Sequence, residues 1–270
     1  MIHFTPCKIN LGLHVVGKRS DGYHNIETCF FPVPWHDAVE IIPAQDDDVT
    51  FSLSGIPVPG DTNDNLVMKA YQLLSSDFSL AKISCHLHKV IPSGAGLGGG
   101  SSDGAAALLL LNNIFQLKLS PADLRAYASQ LGSDCAFFIE GKPKIGREKG
   151  DVLEDIHMNL KGKQLVIVKP RVNVSTAEAY QNLRLSNRNP RIKQIIENVD
   201  LAGWSSLLTN DFEETVFEKY PEIGKMKASL YDHGAIYASM SGSGSAVFGI
   251  FDQPPQINGF DDCVVWTGTL

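Results

Sequence analysis

The sequence predicts an α+β fold in two domains. Three observations predict it. The opening is rich in β-like runs, with most of the helical periodicity coming later, which is the order of an α+β chain. A turn-rich polar stretch falls between residues 140 and 163, and beyond it the pattern of strands and helices starts afresh. We therefore place the domains at 1–160 and 161–270. At 270 residues, 43% of them hydrophobic and 20% charged, the chain has the composition of a globular protein with a real core.

Residues 2–15 alternate with the period of a strand, with Ile9, Leu11, Leu13 and Val15 on one face and Lys8, Asn10 and Gly12 on the other. A polar turn at Lys18–Gly22 follows. Further β-like runs occur at Cys29–Val33, Val39–Ile42, Val49–Leu53 and Ile83–Lys89, a mostly antiparallel start. Helices are predicted over Asn63–Leu74, Ser101–Asn113 and Ser120–Leu131, the last opened by a Ser-Pro cap and closed by Gly132. After the turn-rich Glu140–Gly150 come one short β-like run and the polar Asn159–Lys163. The second half reads as strand Gln164–Val168, helices near Thr176–Leu183 and Pro190–Val199, a helix pair between Asp211 and His233, and strands Ala235–Met240, Ala246–Phe251 and Asp262–Trp266.

Charge and cysteine usage narrow the function. With 23 Lys and Arg against 30 Asp and Glu, the net charge is −7, which gives no field for condensing on nucleic acid or anionic lipid. The five cysteines are widely spaced without a CxxC pair, so they read as free thiols in a reducing compartment. No signal peptide and no membrane-length apolar stretch is found, so the cytoplasm is the expected location.

The strongest chemical signal is the run from Ile91 through Pro92, Ser93, Gly94, Ala95, Gly96, Leu97, Gly98, Gly99, Gly100, Ser101 and Ser102 to Asp103, which follows a strand and opens a helix. Five glycines in seven positions let backbone N–H groups approach a ligand where a Cβ would block it. The helix end behind them adds donors and a positive dipole, so the loop suits a polyphosphate. Ser101 and Ser102 can cap that helix or offer hydroxyls to phosphate or Mg²⁺. Gly94, Gly96 and Gly99 match the dinucleotide fingerprint only as a bare pattern, because no acidic residue ends a following strand at the required distance. The Walker pattern fails because Gly100-Ser101 replaces its Lys-Ser/Thr.

These residues resemble the GHMP kinases, the family of small-molecule kinases that includes galactokinase, homoserine kinase and mevalonate kinase. The family's three motifs occur in order at Pro6-Cys7-Lys8-Ile9-Asn10-Leu11, at Pro92–Ser102 and at Ser239-Met240-Ser241-Gly242-Ser243-Gly244-Ser245. The run Gly17-Lys18-Arg19-Ser20-Asp21-Gly22-Tyr23-His24 is similar to the branch whose alcohol acceptor is 4-diphosphocytidyl-2-C-methyl-D-erythritol. Asn65-Leu66-Val67 and Leu131-Gly132-Ser133-Asp134 also resemble the family pattern. Cys7, Asp103 and Ser245 stand where alanine, asparagine and alanine are common, and none of the three removes a group the chemistry needs.

The resemblance implies an N-terminal domain related to the second domain of ribosomal protein S5 and a ferredoxin-like C-terminal domain. It implies ATP with Mg²⁺ on the glycine loop, and phosphorylation of the acceptor's C2 hydroxyl in the non-mevalonate isoprenoid pathway. It makes Asp134 the base and Lys8 the cation of the catalytic pair, since phosphoryl transfer needs both a proton acceptor and charge neutralisation. Tyr23 and His24 fall at the cytidine end, Asn10 near the reacting hydroxyl, Thr176 and Tyr180 along the acceptor pocket, and Asn65 near the adenine. The bland readings are a solvent-facing strand residue for Lys8, a loop cap for Asp134 and a helix cap for Asn65. The third motif reads as a support that closes the site. His86 and His88 share a strand face without a third metal ligand, so no protein metal site is expected. Two rivals stay open: a GHMP kinase for homoserine, mevalonate or a sugar, and a regulatory module that keeps the loop without catalysis. No oligomeric state follows from these residues.

Overall fold

The structure, a computed structural model, describes residues 1–44, 46, 48–184 and 191–270. The chain folds into two compact units, each gathered from separated stretches. The first comprises Met1–Cys7, Trp35–Ser93 and Gly98–Lys142; the second comprises Lys8–Pro34, Gly94–Leu97 and Pro143–Leu270. Strands β1 (Ile2–Lys18) and β2 (His24–Pro43) pair with each other and contribute residues to both units.

In the first unit, β3 (Thr50–Gly55) runs parallel to β4 (Ile83–Lys89), and β4 runs antiparallel to residues 38–43 of β2. This parallel pair is the exception in a mostly antiparallel start, and α1 (Leu66–Asp77) supplies the crossover that such a pair needs. Helix α1 begins later than its periodicity, since Thr62–Asp64 first form a 3₁₀ turn. Helices α2 (Gly99–Ile114), α3 (Pro121–Leu131) and α4 (Cys135–Phe138) complete the unit. Ser120 and Asp123 close a capping box on α3, and Gly132 ends it. Helix α2 packs closely on the start of α1, because a Cβ at Gly104 would come 2.9 Å from that of Leu66.

In the second unit β5 (Lys144–Glu148) runs antiparallel to residues 26–30 of β2 and to β6 (Val152–Asp155). Here the structure corrects the turn-rich reading of Glu140–Gly150. Gly146 serves packing there, since its Cβ would meet the Phe30 ring at 2.4 Å. Cys29–Val33 and Val39–Ile42 are likewise one strand; Pro32 and Pro34 broke the pattern, and they lie between the residues that bond β5 and those that bond β4.

The rest of the unit is β7 (Gln164–Lys169), α5 (Thr176–Gln181), α6 (Ile192–Asn198), α7 (Trp204–Leu207), α8 (Glu213–Lys219), α9 (Pro221–Asp232), β8 (Tyr237–Met240), β9 (Val247–Phe251) and β10 (Val264–Thr269). Pro190, read as the start of a helix, lies outside the described residues. The four strands form an antiparallel sheet in the order β10-β7-β9-β8, the ferredoxin-like order of fourth, first, third and second strand. Val166, Val168, Met240 and Val247 of the sheet share a core with Val216, Ile223 and Leu230 of α8 and α9. Leu13 joins this core, and its backbone is held by Thr209 and Asp211 at 2.9 Å each. The five cysteines are free thiols, and among the described residues no helix is long and apolar enough to cross a membrane.

Candidate active site

The glycine loop leaves β4 at Lys89 and enters α2 at Gly99. Gly94, Gly96 and Gly98 all have positive φ, which L side chains rarely adopt. At Gly96 the requirement is also steric, since a Cβ would fall 1.9 Å from the Ser241 carbonyl oxygen. Gly98 is the N-cap of α2 and provides no side-chain bond, so the N–H groups of the first turn are left without a side-chain cap. This corrects the reading of Ser101 and Ser102 as capping residues: a left-handed glycine closes the turn, and both serines lie inside the helix. Ser102 is buried, while Ser101 hydrogen-bonds the Cys135 thiol, which burial pushes up to about 12 against that bond's opposing effect.

Within the second unit, three separated motifs meet on one carbonyl. The Lys8 ammonium donates to the Gly96 carbonyl at 2.9 Å and to Asn10 Oδ1 at 2.7 Å. The Ser241 hydroxyl donates to the same carbonyl at 2.8 Å. Asn10 Nδ2 donates to Thr28 Oγ1 at 2.9 Å, and that hydroxyl donates to the Gly12 carbonyl at 2.6 Å. Backbone bonds fasten the same junction, from Lys8 N–H to the Leu97 carbonyl and from Ala246 N–H to the Ala95 carbonyl. Lys8 is 3% exposed and Asn10 1%, which overturns the reading of Lys8 as a solvent-facing strand residue. Alternation placed the pair on one face correctly; burial of both faces is what the sequence left out.

A second cluster gathers the residues expected at the acceptor. The His24 ring stacks on Tyr180 with centroids 4.9 Å apart, and Tyr180 meets Phe212 edge-on. Burial, and then the charge of Lys18, lowers the His24 pKa and favours the neutral imidazole. Tyr23 is 58% exposed, with the Lys149 ammonium 5.3 Å over its ring. Thr176 shares a hydrogen bond with Ser243 of the third motif at 3.0 Å.

Asp134 and Asn65 belong to the first unit. Asp134 precedes α4 without a capping bond to it, and its charge raises the pKa of the neighbouring Cys135, whose thiol meets Ser101. It is Cys135, the residue after Asp134, that meets Ser101 in the first turn of α2. Asn65 is the N-cap of α1, its Oδ1 accepting from Val67 N–H at 3.0 Å. His86 and His88 are engaged by the Ser52 and Ser54 hydroxyls on the sheet face. Among the described residues no group of three or more His, Cys, Asp or Glu is placed to hold a metal ion.

Single-sequence reading missed Asn210. It is buried in a connection, donates to the Met240 and Gly242 carbonyls at 2.8 Å each, and accepts from Phe212 N–H. Its local bond to Phe212 looks like an ordinary turn, and no local pattern marks the two carbonyls it holds, because they lie 30 and 32 positions away.

Comparison with known proteins supplies the family. The model described as "GHMP kinases N terminal domain" matches residues 65–142, and "GHMP kinases C terminal" matches residues 178–259. A protein of Bacteroides thetaiotaomicron named 4-diphosphocytidyl-2-C-methyl-D-erythritol kinase is 51% identical over 254 residues, which cover 93% of this chain and 92% of that one. Its namesake in Cytophaga hutchinsonii is 49% identical over 257 residues, covering 95% and 94%. A crystal structure of 4-(cytidine 5'-diphospho)-2C-methyl-D-erythritol kinase superposes with a TM-score of 0.77 at 30% identity, covering 93% of this chain and 90% of that one. A homoserine kinase from Cytophaga hutchinsonii, 17% identical, shares the fold with a TM-score of 0.73, covering 100% and 94%.

Proposed function

The chain belongs to the 4-diphosphocytidyl-2-C-methyl-D-erythritol kinases of the GHMP family, and from that premise we propose that it moves the γ-phosphoryl group of ATP to the C2 hydroxyl of 4-diphosphocytidyl-2-C-methyl-D-erythritol. The products are ADP and the 2-phosphate, in the non-mevalonate isoprenoid pathway. The observation that carries this reading is the junction in which Lys8 and Ser241 both donate to the Gly96 carbonyl, with Asn10 accepting from Lys8, which ties the first and third motifs to the nucleotide loop.

The acceptor oxygen attacks the γ-phosphorus as the bond to the bridging oxygen of ADP breaks, and its proton passes to the Asp134 carboxylate. Lys8, a compact cation, neutralises the charge that builds on the transferred group. Uncapped N–H groups at the start of α2, with the backbone of Pro92–Gly100 and the hydroxyls of Ser101 and Ser102, receive the phosphates. His24, Tyr23 and Tyr180 take the cytidine, with Asn10 and Thr176 along the rest of the acceptor. Asn65 stands at the adenine through its remaining amide donors. Magnesium accompanies the polyphosphate in this reading, and among the described residues no group of three or more His, Cys, Asp or Glu is placed to hold it. The division at 1–160 and 161–270 is supported by the two family models falling on either side of it. A cytoplasmic location, with neither nucleic acid nor membrane as partner, accords with the acidic composition.

The deciding experiment is a coupled assay of ADP formation with Mg-ATP and the cytidyl acceptor, beside mevalonate, homoserine and galactose. Turnover confined to the cytidyl acceptor is expected; turnover on another acceptor overturns the substrate, and binding without turnover on any overturns the enzyme. Asp134→Asn and Lys8→Met should each lower turnover by roughly 10²- to 10⁴-fold or more with the fold retained. Near wild-type rates in either variant remove that residue's role.

A further inference from the structure

Beneath the nucleotide loop the first unit buries three charged side chains. Asp37 on β2, Lys89 at the end of β4 and Asp103, the fifth residue of α2, are each at most 2% exposed. The Lys89 ammonium pairs with Asp37 and donates to Asp103 Oδ2 at 2.7 Å. Asp37 also accepts from Val90 N–H and, at 2.7 Å, from Ile91 N–H, the two residues that lead into the loop. Asp103 Oδ1 accepts from the Thr5 hydroxyl of β1 at 2.8 Å. The ammonium lies directly under the loop's exit, since a Cβ on Gly99 would come 3.0 Å from Lys89 Nζ.

Stability alone does not account for this arrangement. Replacing a buried ion cluster with apolar groups of similar volume is often neutral or stabilising. What apolar groups cannot do is accept two successive backbone N–H groups on one side of the loop while bonding the helix on the other. We propose that Asp37, Lys89 and Asp103 are positioning residues of the nucleotide loop, holding its entry and exit in one register, and that the charge of this cluster sets how nucleotide affinity varies with pH. The inference rests on the reading of the glycine loop as the nucleotide site.

The charge count gives the sign. With Asp103 protonated, the cluster is one carboxylate and one ammonium; with Asp103 ionised it carries a net negative charge behind a loop that receives phosphates. Burial, foremost, and the Asp37 charge raise the Asp103 carboxyl to about 6, with Lys89 and the Thr5 hydroxyl opposing. Cys85 on β4 also faces it, its thiol pushed up to about 12 by burial and by the charges of Asp103 and Glu40. Nucleotide affinity therefore falls as pH rises through about 6 by this cluster's action.

The test is calorimetric binding of Mg-ADP between pH 5 and pH 8.5 to the wild-type protein and to Asp103→Asn, which keeps the Asp37 pair and can still bond Thr5 and Lys89. The ratio of wild-type to variant dissociation constants should rise from near one at the acid end by on the order of threefold to tenfold at the alkaline end. The nucleotide's own titration cancels in that ratio, and a ratio flat across the range overturns the charge effect. Asp37→Asn/Lys89→Met/Asp103→Asn, which leaves no buried charge unpaired, should weaken Mg-ADP binding about tenfold while affinity for the cytidyl acceptor stays at the wild-type value. Wild-type nucleotide affinity in that variant overturns the positioning role, as does an equal loss for both ligands. Both readouts are binding constants, so an intact clamp in a protein that turns over no acceptor would sink the kinase reading and leave the clamp standing.

Discussion

Each unit holds part of the glycine-rich machinery, and the two do it with opposite chemistry. In the first unit the entry and exit of the nucleotide loop are fixed by ionised groups, Asp37 and Lys89 with Asp103. In the second, Gly96 and Gly242 are held by neutral donors, the hydroxyl of Ser241 and the amide of Asn210, and the Gly96 carbonyl also accepts from the Lys8 ammonium. The difference teaches where charge can be spent on architecture. Desolvated ions make strong, directional clamps, but they titrate and their field reaches the ligand. Amides and hydroxyls hold a backbone more weakly, without titrating and without competing with a cation nearby. On our reading Lys8 acts on the transferred phosphoryl group, and the backbone beside it is held by an amide and a hydroxyl that bring no competing charge.

The pH dependence follows the same divide. A carboxyl whose folded-state value is raised contributes stability that is present below the ordinary value of 3.8 and lost as pH rises through about 6. The clamp around Asp103 should therefore weaken across that window, while the one around Asn210 should not change.

The comparison breaks or sharpens in three substitutions. The largest effect is expected from Lys89→Met, which strands two buried carboxylates and should cost about 3–5 kcal/mol in urea unfolding at neutral pH; a loss under 1 kcal/mol would mean the charged clamp holds nothing. Asn210→Ala leaves two carbonyls and the Phe212 N–H without that partner, and about 1–3 kcal/mol should be lost. That loss should be the same at pH 5 and pH 8, so a pH-dependent value would erase the distinction between the clamps. Ser241→Ala is the smallest, about 0.5–1.5 kcal/mol, because the Gly96 carbonyl keeps its bond from Lys8. A larger cost there would show that Lys8 does not hold Gly96 alone.

Much of the site could be read from the residues in order. Lys8 and Asn10 were placed on one strand face by alternation alone, and they are 2.7 Å apart. The Ser120 cap and the Gly132 stop of α3 followed from residue type, because both act within a single turn of chain. Asp103 stood in the motif as a departure from the usual asparagine, but nothing in the sequence placed Lys89 and Asp37 against it. The cap at Gly98 is not legible beside two serines, since a left-handed backbone angle leaves no mark beyond the glycine itself.

By itself the sequence determined what depends on neighbours along the chain: the strand period of β1, the glycine run that only a close backbone approach requires, the capping residues and the order of the three motifs. Tertiary structure alone decided which distant groups share a partner. The Gly96 carbonyl accepts from Lys8 and Ser241, 88 and 145 positions away, and Asp37 accepts from Val90 and Ile91, 53 and 54 positions away. Burial decided the rest. A strand whose two faces are both covered looks half-exposed in its pattern, because the polar residues on its second face are matched by partners that only folding supplies.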